Sequence, residues 1–210
     1  MISKWINALA VFSLVGLSGC ASMNADECAA SDWSAIGYED GSRGYTADRF
    51  SNHRKACAKH GITPDFQAYL SGRSQGLESF CRPGRAFNFG ANGGQYNGVC
   101  EADMEPEFLE AYRVGHKLHT LRSNVNAVNS QLYSAEEALG HTKSRIVAAE
   151  LLLINSETST DERVALLAEL KELSERKGNL KAQIKQLIAD RARLEQDLQY
   201  YEQTVAAYGY

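Results

Sequence analysis

The chain has 210 residues, 44% of them apolar, and 22 Lys+Arg against 26 Asp+Glu give a formal net charge of −4. That length admits one or two domains. The mild acidity excludes the basic footprint of a nucleic-acid binder, so no nucleic acid is expected as a partner.

Lys4 makes the extreme N-terminus positive, and INALAVFSLVGL (6–17) follows as a short apolar run ending in small residues. This is the order of a secretory signal: a positive region, an apolar core and a small-residue cleavage zone. Such a run is too short to span a hydrocarbon core of about 30 Å as a helix. Leu17-Ser18-Gly19-Cys20 resembles the bacterial lipobox. The resemblance implies that residues 1–19 are a signal peptide and that Cys20 is lipidated and becomes the new N-terminus. More than one acyl chain then holds the protein to a bilayer stably. Ala21 replaces the aspartate that commonly retains such proteins at the inner membrane. By that resemblance the expected location is the outer membrane, lipid-anchored and facing the periplasm.

Loss of residues 1–19 removes one charge, Lys4, and moves the formal net charge from −4 to −5. Four further cysteines, Cys28, Cys57, Cys81 and Cys100, all lie in the first half. In an exported chain an even number reads as disulfides, here two. Three pairings are open and the sequence does not select among them. Cys28–Cys57 with Cys81–Cys100 is preferred because each closes a local loop.

Residues 20–119 are glycine- and cysteine-rich, whereas 120–203 hold two glycines and no cysteine or proline. The expected fold is mainly α. A compact disulfide-stapled domain of short, glycine-containing helices precedes a long antiparallel coiled-coil hairpin over 120–203, with a flexible tail over 204–210.

In the first part, Ser31 is expected to cap a helix carrying Trp33, Ile36 and Asp40. A second helix runs from about Asp48 to His60 and stops at Gly61. Thr63-Pro64-Asp65 then reads as a cap, a first-turn proline and a favourable acidic charge, opening a helix that ends near Cys81. Tyr38-x-x-Gly41-x-x-Gly44 recurs as Phe87-x-x-Gly90-x-x-Gly93. Looser echoes are Tyr69-x-x-Gly72-x-x-x-Gly76 and Tyr112-x-x-Gly115. Glycine costs about 1 kcal/mol against alanine inside a helix. Glycines three or four apart share one helical face, so close approach of neighbouring backbones is the expected return. A short helix through Phe87 and Gly90, a turn through Gly93–Gly98 and a new helix opening at Glu105-Pro106-Glu107 complete this part.

The second part is periodic. Val125, Val128, Leu132, Ala135, Leu139, Thr142, Ile146, Ala149 and Leu153 alternate steps of three and four. After NSETST, the series Leu166, Leu170, Leu173, Lys177, Leu180, Ile184, Leu187, Arg191, Leu194, Leu198, Tyr201 does the same. This is the heptad pattern of paired supercoiled helices, with a bend near 154–160. Ser159 and Glu162 form a capping box for the second helix. Lys177 and Arg191 fall in the seam, where their stems can lie while their charged ends reach water. Leu151, Leu152, Leu166 and Leu167 widen the apolar surface near the bend. They either pack across the tip or offer a contact surface, for an envelope protein or for self-association.

No catalytic residue, cofactor or metal is expected, and the chain does not read as an enzyme. His53-x3-Cys57-x2-His60 shares one helical face but needs a fourth group and a free thiolate to hold zinc, so His53 and His60 are weak outsiders as ligands. An enzyme would need Asp40, His53 and His60 in one cleft with Cys57 reduced. His116-x2-His119 reads as a solvated face. Asp32, Glu39 and Asp40 lack a demonstrated cleft, and Asp32 suits a helix N-terminus. HExxH and phosphate-loop motifs are absent. A peptidoglycan or small-ligand site would instead use Tyr38, Tyr69, Arg73 and Tyr96.

DWSAIGYEDGSRG, HRKACAKHGITPDFQAYLSGRSQGLESFC, GANGGQYNGVC and FLEAYRVGHKL together resemble a domain of unknown function found in uncharacterised proteobacterial lipoproteins. The resemblance covers about residues 25–120. It implies a periplasmic, lipid-anchored module with cysteines and glycines as a fixed framework, and it implies no activity. After the third cysteine that family often reads PENGF…G, where this chain has RPGRAFNFG.

Overall fold

A computed structural model describes residues 23–207 and 209. The signal segment and Cys20 lie outside the described residues. The described chain is helical: α1 (Ala25–Ala30), α2 (Trp33–Ser42), a 3-10 turn (Ala47–Arg49), α3 (Phe50–Ala58), α4 (Phe66–Phe80), α5 (Pro83–Ala91), α6 (Glu105–Ile154) and α7 (Thr160–Ala207).

The glycines work in pairs. α2 crosses α4, and α5 crosses α6, with the backbones in direct approach. A Cβ on Gly76 would stand 2.7 Å from the amide of Ser42 and closer still to the carbonyl of Tyr38. A Cβ on Gly115 would stand 2.8 Å from the amide of Ala91 and closer still to the carbonyl of Phe87. The two crossings are the same construction used twice. Tyr38, Gly41 and Gly44 correspond to Phe87, Gly90 and Gly93, and Gly76 corresponds to Gly115. Gly44 and Gly93 end their helices with φ of 75° and 78°. An added Cβ at Gly44 would strike Phe80, and one at Gly93 would strike His119, the residue in the matching place.

Each unit carries one disulfide, Cys28–Cys57 in the first and Cys81–Cys100 in the second. Each bond ties the chain ahead of one helix of a pair to the chain ahead of the other. The first core gathers Cys28, Trp33, Phe50, Cys57 and Tyr69. The second gathers Ala86, Phe108 and Ala111 with Leu77, Phe80 and Cys81, so the end of α4 joins the two units.

Local capping differs from expectation at two helices. Asp32, not Ser31, caps α2 and accepts from the amides of Ser34 and Ala35, while Ser31 closes α1. Asp65, not Thr63, caps α4, accepting from Gln67 and Ala68 at 3.0 Å each. In both, a carboxylate placed directly before the helix reaches two amides at once and adds its charge to the positive end of the dipole.

α6 is one helix of 50 residues, about 75 Å long. It passes through residue 120 without a break, so the change in composition there falls inside a helix. α7 returns antiparallel along it. Every member of the two heptad series is buried or half-buried, with Leu132, Ala135 and Leu187 at the centre. Thr142 is 3% exposed and satisfies its hydroxyl on the carbonyl of Ala138. Arg191 lies in the seam half-buried with Nε unbonded, 3.7 Å from Glu195. α7 continues through Ala207 with Val205 buried, which makes 204–207 helix rather than a flexible tail. Tyr201 donates to the carbonyl of Val114 at 3.0 Å and lies under the Lys117 ammonium. This fastens the end of α7 to the second unit.

Candidate interaction surface

The four residues expected to gather around a ligand fall apart. Tyr69 is fully buried in the first core, and its hydroxyl donates to Asp40 at 3.0 Å. Tyr96 belongs to the second core, donating to Glu105 and accepting from the amide of Cys100. Arg73 spends its guanidinium on the carbonyl of Tyr45, and Tyr38 is exposed on α2. His60 is exposed, and Cys57, being disulfide-bonded, has no thiolate to offer. Among the described residues no three His, Cys, Asp or Glu side chains are placed to hold a metal.

Asp40 and His53 do meet. Asp40 is 5% exposed and takes hydrogen bonds from Arg49 at 2.9 Å and Tyr69 at 3.0 Å, with His53 at 3.4 Å. The cluster has an apolar counterpart inside the same chain. Asp40 precedes Gly41 as Phe89 precedes Gly90, and Tyr69 stands two turns before Gly76 as Phe108 does before Gly115. One unit fills this place with aromatic rings, the other with a carboxylate and a phenol. The polar version fastens the excursion through 45–58 onto the α2–α4 pair, with Trp33, Phe50 and Tyr69 packed beside it.

Burial raises the Tyr69 hydroxyl above its ordinary value of 10, and the Asp40 charge and hydrogen bond raise it further. The unfolded phenol therefore ionises first as pH climbs past about 10, so the folded state binds more protons there and stability falls. Urea midpoints measured between pH 8 and 11 will show this decline, with a shallower slope in Tyr69→Phe. The difference approaches about 1.4 kcal/mol per pH unit.

The hairpin tip is built to be held in one shape. Ser159 and Glu162 form the expected capping box: the Ser159 amide donates to the Glu162 carboxylate at 2.8 Å. Hydrogen bonds from Ser159 hold that carboxyl below the usual glutamate range. Arg163 is not among the residues expected to shape the bend. It donates to the carbonyls of Leu153, Asn155 and Thr158, closing the end of α6. Its signal was its place one heptad step before Leu166, where a seam position is filled by a cation next to a helix C-terminus.

Around this rigid tip the surface is aliphatic. Leu151, Leu152 and Leu167 are exposed, so packing across the tip, one of the two expectations for these residues, does not describe them; only Leu166 turns partly inward. Val147, Ile154 and Val164 are exposed as well. On one side, Leu152, Ala165 and Leu166 floor a cleft of about 420 Å³ whose wall and rim include Glu157, Glu162 and Glu169. Among the described residues no helix is long and apolar enough to cross a membrane.

Residues 32–117 match the model of a family described as a protein of unknown function (DUF2799). No curated protein and no solved structure matches the chain. The matched stretch takes in both glycine crossings and stops where α6 leaves the second unit.

Proposed function

We propose that the chain is a lipid-anchored protein of the outer membrane, facing the periplasm and held by acylated Cys20, that serves as a protein-binding or scaffolding module. It has no catalytic role in this reading. The stapled two-unit domain sits at the anchored end, and the hairpin carries a contact surface tens of ångströms away.

The observation that carries this reading is the exposed aliphatic tip. Leu152, half exposed, floors an open cleft of about 420 Å³ there with Ala165 and Leu166. They flank a turn fixed by three carbonyl bonds from Arg163. The apolar floor suits a partner segment that brings an apolar side chain, with Glu157 on the rim to meet a neighbouring lysine or arginine.

Photo-crosslinking in cells tests the proposal. A photoreactive residue at Leu152 or Ala165 will give one discrete protein adduct, and the same residue at Tyr200, near the domain, will give none. Adducts equal at the two ends, or none at the tip, would refute it. Metabolic palmitate labelling that disappears in Cys20→Ser checks the anchor separately.

A further inference from the structure

The outer face of α6 carries a second surface, opposite in character to the acidic groove. Gly140, Ser144, Val147, Leu151 and Ile154 follow one another at steps of four, three, four and three, so they form one stripe along the helix. All five are exposed, Val147 at 54%, Leu151 at 61% and Ile154 at 77%. None belongs to the seam with α7. A Cβ added to Gly140 would meet nothing within 4 Å, so packing within the chain gives no reason for a glycine there.

The stripe is graded from small to large. Turned end over end upon itself about Val147, it sets Ile154 against Gly140, Leu151 against Ser144 and Val147 against Val147. Each large side chain meets a small one. The charges beside the stripe obey the same rule. Lys143 and Glu150 lie on one flank, and the antiparallel arrangement brings each Lys143 to the Glu150 of the second copy. A parallel, in-register pair would instead set Ile154 on Ile154 and Gly140 on Gly140, and it would place the Lys143–Glu150 flanks of the two copies on opposite sides of the contact, out of each other's reach. Among the described residues neither Lys143 nor Glu150 forms an ion pair; the adjacent Arg145 pairs with Glu169 on the other flank.

From this self-complementarity we infer that two copies of the chain associate through α6, antiparallel, across a two-fold axis near Val147. Such an interface is isologous, the same patch serving both subunits. The two stapled domains then lie at opposite ends of a rod, joined through overlapping tips. The groove floored by Leu152 and Leu166 faces away from this contact, so the inference stands whatever occupies the groove.

Cysteine pairing on the full chain in detergent tests the geometry. Chains carrying Gly140→Cys and chains carrying Ile154→Cys are mixed and mildly oxidised. The expected product is the mixed 140–154 dimer, well in excess of either like-with-like dimer. Lys143→Glu will raise the dimer dissociation constant about tenfold, and adding Glu150→Lys will restore it. These positions are exposed, so an unchanged helical circular-dichroism signal confirms that the variants are folded. A monomer by light scattering with no cross-link overturns the inference, as do 140–140 and 154–154 products in place of the mixed one. Neither outcome touches the photo-crosslinks expected at the groove.

Discussion

Gly72→Ala will cost the chain on the order of 4 kcal/mol of stability, a large fraction of what a domain of this size holds in reserve. The added methyl would fall on the backbone carbonyl of Ser34, with the Ser34 Cα 2.9 Å away. No side chain can rotate to relieve that contact, so α2 and α4 must separate. Separation opens the first core, since Trp33 lies on α2 and Tyr69 on α4. Small-to-large changes in ordinary cores cost about 1–3 kcal/mol because neighbours adjust; here the neighbour is main chain. Gly178→Ala is the matched control. It also adds a methyl to a helical glycine, but into open space, and it should stabilise the chain by up to about 1 kcal/mol through helix propensity. Thermal and urea unfolding of the two variants will show opposite signs. Equal effects would mean that the crossing is looser than described.

The second large effect is expected from Cys28→Ser with Cys57→Ser. The bond closes a separation of 29 residues, and removing it costs about 3.6 kcal/mol in a chain-entropy account. The loss will be concentrated in the first unit. There the segment between α2 and α4 is held by the disulfide, the Asp40 cluster and a few aromatic contacts. In the second unit α6 continues into the hairpin and is supported along its length by α7. Hydrogen exchange on the double variant should show amides of α3 exchanging faster while those of residues 125–149 keep their protection. Uniform loss of protection would show that the two parts unfold as one.

How much of this was legible depended on the range of the interaction. The hairpin seam was readable because a period of three and four residues is a local property, and Lys177 and Arg191 did not interrupt it. The glycine spacing announced close backbone approach, and the Tyr38 and Phe87 echoes announced a repeat. Which helix each glycine would meet required the fold, because Gly72 and Ser34 are brought together only by the chain's return through 45–65. The same holds for Asp40. A carboxylate at the end of a short helix reads as surface, and its burial follows from Arg49, His53 and Tyr69 closing over it. The caps at Asp32 and Asp65 went to the nearer of two candidate residues, a difference of one or two positions that pattern alone does not resolve. The tip was half legible. Excess leucines near the bend were visible in the sequence, but Arg163, which draws together the carbonyls that shape it, acts over a tertiary distance.

If the hairpin tip is a protein contact surface, thiol labelling in intact cells will reveal the cover over it. Leu152→Cys at the tip and Tyr200→Cys near the domain are each exposed positions. They would be reacted with a periplasm-permeant maleimide, in cells and in the purified chain. Both positions should label equally in the purified protein, with position 152 alone protected in cells. Equal labelling in both settings would show the tip bare in its native surroundings and rule out a partner there.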